Sequence, residues 1–255
     1  MTKHNVFFVA ILSSLLVASP VLAAGDVTPP RKLGWSFDGM FGRVDKPSAQ
    51  RGLQVYKEVC AACHGIKRVA FRTLTDIGFS EAEIKALAAS YTIKDGPNDD
   101  GEMFERPGLP SDKFVPPYAN EQAARAAQNG AYPPDLSLII KARPDGANYL
   151  YSLLTGYGQT PPDHVHVGEG MHYNPYFAGG QIAMAAPMSD GQVTYADGTQ
   201  ASVDQMAKDV VSFLQWAAEP EMEHRKQTGI KVLIYLAIFT AFMYVAKRRL
   251  WRKLH

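Results

Sequence analysis

The chain contains two cysteines, Cys60 and Cys63, separated by two residues, and His64 follows the second directly. A Cys-x-x-Cys pair serves three kinds of chemistry: a zinc site, a dithiol redox centre, or covalent attachment of haem. Structural zinc requires a second ligand pair, and the nearest approach to one, His164 with His166, is more simply interpreted as part of a loop. A thioredoxin-like centre requires alternating strands and helices around it, a pattern that the neighbouring sequence lacks.

Haem attachment accounts for all three residues together. Leu53 and Tyr56 lie at helical spacing before Cys60, and Cys63 continues the same face. His64 is four residues from Cys60 and projects from that face too. Two thiols one turn apart can form thioethers to the two vinyl groups of a haem, with the imidazole on its iron. We therefore predict one covalently attached haem c, which also removes both cysteines from disulfide chemistry in an exported protein.

The second axial ligand of the iron determines the function. A strong sixth ligand makes an electron carrier, whereas an open position permits gas or peroxide chemistry. Methionine is the expected ligand, and Met171, Met184 and Met188 are the best placed, in a turn-rich stretch able to wrap a haem edge. Met40 and Met103 are less easily dismissed than the other methionines. Spacing does not choose among them, since any methionine can serve as a gap-filler in a core.

The N-terminus predicts an export signal over residues 1–23. A short region with Lys3 precedes an apolar run, which ends in small residues at the positions that a signal peptidase needs. The alternative, a first transmembrane helix, is less favoured because Pro20 interrupts the run and the run is short for a span.

The C-terminal part predicts a transmembrane helix over residues 229–246. Its 18 residues include one charge, Lys231, and would extend about 27 Å at 1.5 Å per residue, close to the thickness of a hydrocarbon core. A buried core helix is the alternative, but the basic tail that follows, residues 247–255, fits it badly.

The body between these ends is acidic. All 25 Asp and Glu lie in residues 24–228, where the formal charge is −6. The positive-inside rule places the basic tail in the cytoplasm. We therefore predict a single-pass protein of the bacterial inner membrane, with residues 24–228 forming a periplasmic haem domain.

The predicted fold is mainly α, a cytochrome c-like haem domain enlarged by loop insertions and a small β-hairpin, plus the C-terminal transmembrane helix. Asp197-Gly198 lies between short alternating segments and predicts a two-residue hairpin. Ser202 and Gln205 form a capping box that begins a helix, which we expect to pack across the Cys60 helix. The apolar stripe of this helix is Val203, Met206, Val210, Phe213, Leu214 and Ala217.

An ordered series of segments runs from about residue 30 through the membrane anchor. It comprises the Cys60-Ala61-Ala62-Cys63-His64 motif, "DGPNDDGEMFERPG", "ARAAQNGAYPPDLSLIIKAR", "YLYSLLTGYG", "YNPYFAGGQIAMAAPM" and "AKDVVSFLQWAAEPEMEHRKQTG". Together these resemble the cytochrome c1 family, the c-type haem subunit of the quinol:cytochrome c oxidoreductase, or cytochrome bc1 complex. A bare Cys-x-x-Cys-His motif is shared by many families, whereas this series is specific to one.

The resemblance implies roles for further residues. The family's sixth ligand lies in a short M-A-x-P segment that matches Met184, and Met188, which directly follows the matched proline, stands where the family usually has another apolar residue. Arg143 matches a partner of a haem propionate, a role that suits a carboxylate in a crevice. The haem-lining residues that the resemblance implies are Tyr149, Pro133 and Pro134.

The resemblance also implies partners: cytochrome b, a Rieske iron–sulfur subunit as electron donor, and a soluble or tethered cytochrome c as acceptor. The acidic segment Asp95 to Glu105 is then a docking surface for a basic cytochrome c. We expect no catalytic site within this chain and no nucleic-acid partner. Two alternatives stay open: an anchored monohaem enzyme or gas sensor with an open sixth position, and the haem subunit of a different respiratory complex.

Overall fold

A computed structural model describes residues 27–252, and the predicted export signal lies outside these residues. The helices and strands are, in order, α1 (Lys46–Glu58), 3₁₀ turns at Cys60–Ala62 and Phe71–Ile77, α2 (Glu81–Ala89), β1 (Thr92–Asp95), β2 (Phe104–Pro107), α3 (Glu121–Ala127), α4 (Gly146–Leu154), β3 (His172–Tyr173), β4 (Gln181–Ile182), α5 (Val203–Ala218) and α6 (Met222–Trp251). The predicted mainly helical fold is confirmed.

Helix α1 begins at a proline-containing first turn, where a missing N–H costs nothing, and packs against α5. The two helices touch through Gly52, because a Cβ at this position would lie 2.0 Å from the backbone oxygen of Asp209. Glycine therefore permits the close crossing that the sequence-based packing prediction required, and the two helices form the centre of the domain.

A buried ion pair joins the same two helices. The Asp209 side chain is fully buried, and it accepts hydrogen bonds from the Arg51 guanidinium at 3.0 Å and the Ser48 hydroxyl at 2.7 Å. Gln205 donates to the same carboxylate at 3.1 Å. Hydrogen bonding to Asp209 is the main reason why the pKa of Arg51 is raised above its usual value. This carboxylate is thus fully partnered, as a buried charge must be.

An aromatic cluster fills the core beside α1. Phe71 packs against Phe114 with ring centroids 4.4 Å apart, and Tyr56 meets Phe114 edge-on at 6.1 Å. Tyr56 also contacts Phe213 of α5 at 5.9 Å. These rings connect the α1–α5 pair to the segment that follows the cysteine motif, and they give that segment a fixed floor.

Within residues 27–252, the strands form two small antiparallel pairs, β1 with β2 and β3 with β4. The hairpin predicted at Asp197-Gly198 is wrong in its strands, although a turn is present and Gly198 has φ +77°. The flanking backbone has another partner, since the Gln54 side chain of α1 donates to the Thr194 carbonyl. Asp197 itself pairs with Arg51, so this turn docks on α1 rather than on a second strand.

Helix α5 begins as predicted, because the Ser202 hydroxyl accepts a hydrogen bond from the Gln205 N–H at 3.2 Å. The reciprocal half of the capping box is absent, since the Gln205 side chain binds Asp209 instead. Helix α6 extends beyond the predicted span at both ends. Among residues 27–252, it is the helix that length and composition make suitable for crossing a membrane.

Candidate haem site

The cysteine motif lies just beyond α1 rather than within it. The prediction that Cys60 and Cys63 continue the α1 helix is wrong, because α1 ends at Glu58 and a 3₁₀ turn covers Cys60–Ala62. The one-turn spacing is nevertheless retained. The Cys60 carbonyl accepts hydrogen bonds from the N–H groups of both Cys63, at 3.1 Å, and His64, at 2.9 Å.

Neither thiol is in a disulfide, and both side chains are half-buried. Burial raises the pKa of the Cys60 thiol to about 12, with the neighbouring Cys63 as a second cause. Reactive dithiol centres depend on a lowered thiol pKa, so this environment argues against the thioredoxin-like alternative. It fits cysteines whose sulfurs form stable covalent bonds in an apolar crevice.

His64 is oriented by a residue 70 positions away. Its Nδ1 donates a hydrogen bond of 2.7 Å to the Pro134 carbonyl, which leaves Nε2 with a free lone pair. Burial lowers the pKa of His64, so the neutral imidazole, the form that binds a metal, is favoured at neutral pH. The Tyr56 hydroxyl donates to the His64 carbonyl at 3.1 Å and fixes the backbone as well. The arrangement suits an axial ligand of haem iron.

The segment after Pro134 docks along the cysteine motif. The Leu136 N–H donates to the Gly65 carbonyl at 2.7 Å, and the Asp135 carboxylate accepts from the Lys67 N–H at 2.9 Å. Pro133 is half-buried beside this junction. The structure thus brings the predicted proline pair to His64, where Pro134 contributes its backbone oxygen.

Two polar residues beside Cys63 were not predicted. The Gln128 amide donates to the Cys63 sulfur at 3.5 Å and to the Tyr118 hydroxyl at 2.7 Å. No spacing pattern in the sequence indicates these contacts, because Gln128 and Cys63 lie 65 residues apart.

The methionine loop is held by an unpredicted tyrosine. The Tyr157 hydroxyl donates a 3.0 Å hydrogen bond to the Met184 carbonyl. Burial raises the pKa of Tyr157, and the nearby Tyr149 hydroxyl adds to the effect, so the predicted Tyr149 lies close to the same group. Met184 and Met188 are both half-buried and both pack against the core. The hydrogen bond fixes the backbone at Met184, and the assignment between the two methionines stays a prediction.

Arg143 lies in the segment before α4 and is exposed. Its guanidinium donates to the adjacent Ala142 carbonyl at 3.0 Å, and in the described part of the chain it is in no salt bridge. A guanidinium without a protein carboxylate retains donors for an external anion such as a propionate.

The site and the fold together define a membrane-anchored c-type cytochrome. They provide two thiols within one turn, a histidine with its Nδ1 already bonded, a helical domain and an apolar C-terminal helix. The residues present therefore fit covalent haem. More specifically, the chain belongs to the Cytochrome C1 family, which matches residues 35–254. Proteins of this family carry covalently attached haem c, and Cys60 and Cys63 lie in the haem-binding region. The predicted family and cofactor are confirmed, and the role in electron transfer follows from the family.

Individual relatives are similar over most of this chain. The chain is 47% identical to cytochrome c1 of Rhodospirillum rubrum, over 94% of this chain and 96% of that protein. It is 51% identical to a mitochondrial cytochrome c1 haem protein of Arabidopsis thaliana, covering 92% of this chain and 76% of the relative. It is 50% identical to a protein of Bradyrhizobium diazoefficiens named cytochrome b/c1, covering 87% of this chain and 35% of that longer protein.

Proposed function

We propose that this chain is the haem subunit of a quinol:cytochrome c oxidoreductase, taking electrons from a Rieske iron–sulfur subunit and passing them to a soluble or tethered cytochrome c. The observation that best supports this proposal is the hydrogen bond from His64 Nδ1 to the Pro134 carbonyl beside two thiols, because it leaves Nε2 available to bind haem iron. The names cytochrome b/c1, in Bradyrhizobium diazoefficiens, and cytochrome b-c1 complex catalytic subunit, in Candida albicans, support the assembly with cytochrome b.

Each residue of the site has one task in this proposal. The Cys60 and Cys63 sulfurs would hold the haem through thioether bonds, and His64 and Met184 would ligate its iron. The Tyr157 hydroxyl keeps the Met184 backbone in place through its carbonyl. When bound, the haem takes up and releases one electron, and a soft thioether ligand favours the reduced state. No acid–base or nucleophilic group of the chain is needed, so quinol oxidation belongs to another subunit.

Ligand binding distinguishes the proposed electron carrier from a haem protein with an open sixth position. We expect the ferrous protein at neutral pH to resist carbon monoxide, and the ferric protein to show the near-infrared sulfur-to-iron band of methionine ligation. Purification of the full chain in mild detergent should recover a cytochrome b and a Rieske protein with it. Rapid carbon monoxide binding would overturn the carrier function, whereas recovery of other partners would indicate a different respiratory complex.

Arg143 is proposed to bind a haem propionate. Arg143→Gln should lower the reduction potential by roughly 10–40 mV, because an exposed charge-assisted contact contributes about 0.2–1 kcal/mol and 59 mV corresponds to tenfold for one electron. Arg143→Lys, which keeps the charge, should retain most of the potential in the same spectroelectrochemical titration. An unchanged potential in Arg143→Gln would leave Arg143 as an ordinary surface residue.

We propose that the acidic segment, Asp95 to Glu105, is the docking surface for a basic cytochrome c. Salt bridges within the domain distinguish Asp95 from the other carboxylates of the segment. Asp95 pairs with Arg106 at 2.5 Å, which lowers the pKa of Asp95, and Arg106 also pairs with Asp112 at 2.6 Å. Asp99, Asp100, Glu102 and Glu105 are exposed and, among the described residues, lie outside every salt bridge. We therefore assign docking to these four carboxylates rather than to Asp95.

Neutralising two of them tests this assignment. Asp100→Asn with Glu102→Gln should slow second-order electron transfer to a basic cytochrome c at low ionic strength, and the deficit should shrink as salt screens the charges. The backbone N–H groups of both residues bond the Asn98 side chain, so the loop keeps its shape. The control, Glu81→Gln with Asp163→Asn, removes the same charge from exposed positions outside the segment. Equal rate losses in the two double variants would contradict local docking.

We propose that residues 24–228 lie outside the cytoplasm, that residues 229–246 span the bacterial inner membrane, and that residues 247–255 lie in the cytoplasm. Its support is the basic end of α6, which includes Arg248 and Arg249 in the last turn. Lys247 lies over the Trp251 ring at 4.9 Å, an arrangement suited to the headgroup layer.

A further inference from the structure

The loop of residues 36–43 exposes two apolar side chains at its tip. Phe41 is 80% exposed and Met40 57%. Within residues 27–252, no large hydrophobic side chain is more exposed than Phe41, and this includes the apolar residues of α6. An isolated exposed apolar residue requires no explanation, but adjacent ones on a rigid support indicate a surface that is covered in use.

The loop is closed and stiff. The Arg43 N–H donates to the Ser36 carbonyl at 2.9 Å, and the Asp38 carboxylate accepts from the Trp35 N–H at 3.0 Å. Gly42 packs so tightly that an added Cβ would lie 2.0 Å from the Asp38 oxygen. The exposed tip is therefore held in place by its own base rather than being a flexible end.

Three hydrogen bonds attach the loop to the start of α6. The Lys226 ammonium donates to the carbonyls of Phe37, at 2.7 Å, and Gly42, at 3.2 Å, on the two sides of the tip. The Val44 N–H donates to the Glu223 carboxylate at 3.1 Å. The position of the loop is consequently fixed relative to the helix that carries the membrane span.

These attachments set the depth of the loop. Lys226 lies three residues before Gly229, about 4.5 Å along the helix axis from the start of the apolar stretch. The polar layer on each side of the hydrocarbon core is about 5–8 Å thick. Lys226, which holds both sides of the tip, thus lies at the level of the headgroup layer when α6 spans the membrane, and Glu223 lies about 9 Å before the apolar stretch.

We propose that Met40 and Phe41 insert into the bilayer interface as a second membrane contact, which holds the haem domain at a fixed height and tilt above the membrane. The proposal rests on the membrane anchoring proposed above. Charges around the loop suit this occupant, since Arg43 is exposed beside the tip and Lys226 faces the loop. Of the nearby carboxylates, Asp38 and Glu223 accept backbone N–H groups, and Asp45 is exposed next to Lys46 in the chain.

A spin label at position 41 tests the insertion. With haem on Cys60 and Cys63, Phe41→Cys supplies the one free thiol of the full chain. A nitroxide on this thiol in lipid nanodiscs should collide with oxygen more often than with an aqueous nickel chelate. The matched control is Met103→Cys, an apolar residue 64% exposed in the β1–β2 connection. Unlabelled Phe41→Cys should react with a water-soluble maleimide about tenfold more slowly than Met103→Cys. Desolvation that raises the thiol pKa by about one unit lowers the fraction of reactive thiolate tenfold.

Leu236→Cys, on α6, separates failure of the loop from failure of the anchor. A label exposed to lipid at 236 but to water at 41 would overturn the insertion and leave the anchor intact. Water exposure at both positions would overturn both. A label at 41 that is open to water in the isolated subunit, and shielded only in the complex with cytochrome b, would also overturn the insertion, because protein then covers the tip.

Discussion

Met184→Leu should abolish the low-spin spectrum of the protein and allow carbon monoxide to bind rapidly to the ferrous form. Leucine has nearly the volume of methionine, so the fold should be kept, while the only lost group is the sulfur that we propose as the iron ligand. The reduction potential should fall by on the order of 0.1–0.3 V, within the roughly 0.8 V over which axial ligands set haem potentials. Optical spectra of both oxidation states and a redox titration measure these changes.

Met188→Leu is the matched control, because Met188 is also half-buried against the core and lies four residues further on. It should keep the sulfur-to-iron band and the potential. If Met188→Leu loses the band while Met184→Leu keeps it, the ligand assignment is wrong and the segment wraps the haem in a different register. If neither variant loses the sulfur-to-iron band, Met171 becomes the candidate for the sixth ligand.

Asp209→Ala should destabilise the haem domain by about 3–5 kcal/mol, the cost of leaving a partly buried charge without its buried partner. The substitution leaves the Arg51 guanidinium, which is 17% exposed, with only the half-exposed Asp197 as a partner, and it removes the acceptor of Ser48 and Gln205. For a domain of this size the thermal midpoint should fall by roughly 6–20 °C. Unfolding of the haem-loaded chain, followed by its Soret band, measures the shift.

Asp197→Ala provides the comparison, because Asp197 binds the same arginine but is 47% exposed. It should cost at most about 1 kcal/mol, as exposed pairs do. The double variant Arg51→Met with Asp209→Leu should recover much of the stability lost in Asp209→Ala, since no buried charge remains unpaired. Equal losses for Asp197→Ala and Asp209→Ala would show that burial does not determine the strength of this pair.

Much of the architecture could be predicted because it depends on neighbouring residues. The apolar stripe and Ser202 cap specify α5, and the apolar run specifies the centre of α6. The strand prediction around Asp197-Gly198 failed for a physical reason. Turn chemistry specifies the turn, whereas the Thr194 carbonyl is taken by a side chain 140 residues away. Strand pairing requires that the backbone N–H and C=O groups of both flanking segments are free to bond each other. The pattern of residue types does not show whether another part of the chain already binds these groups.

The sequence by itself determined that two thiols and an imidazole lie within one helical turn, since that spacing is local and backbone hydrogen bonds enforce it. The tertiary structure alone decided what surrounds them. The Pro134 carbonyl fixes the tautomer of His64 across 70 residues, and the Tyr157 hydroxyl holds Met184 across 27. Such contacts have no signature in residue type, because one partner is a backbone carbonyl that every residue possesses. Only the folded path of the chain brings these groups within hydrogen-bonding distance.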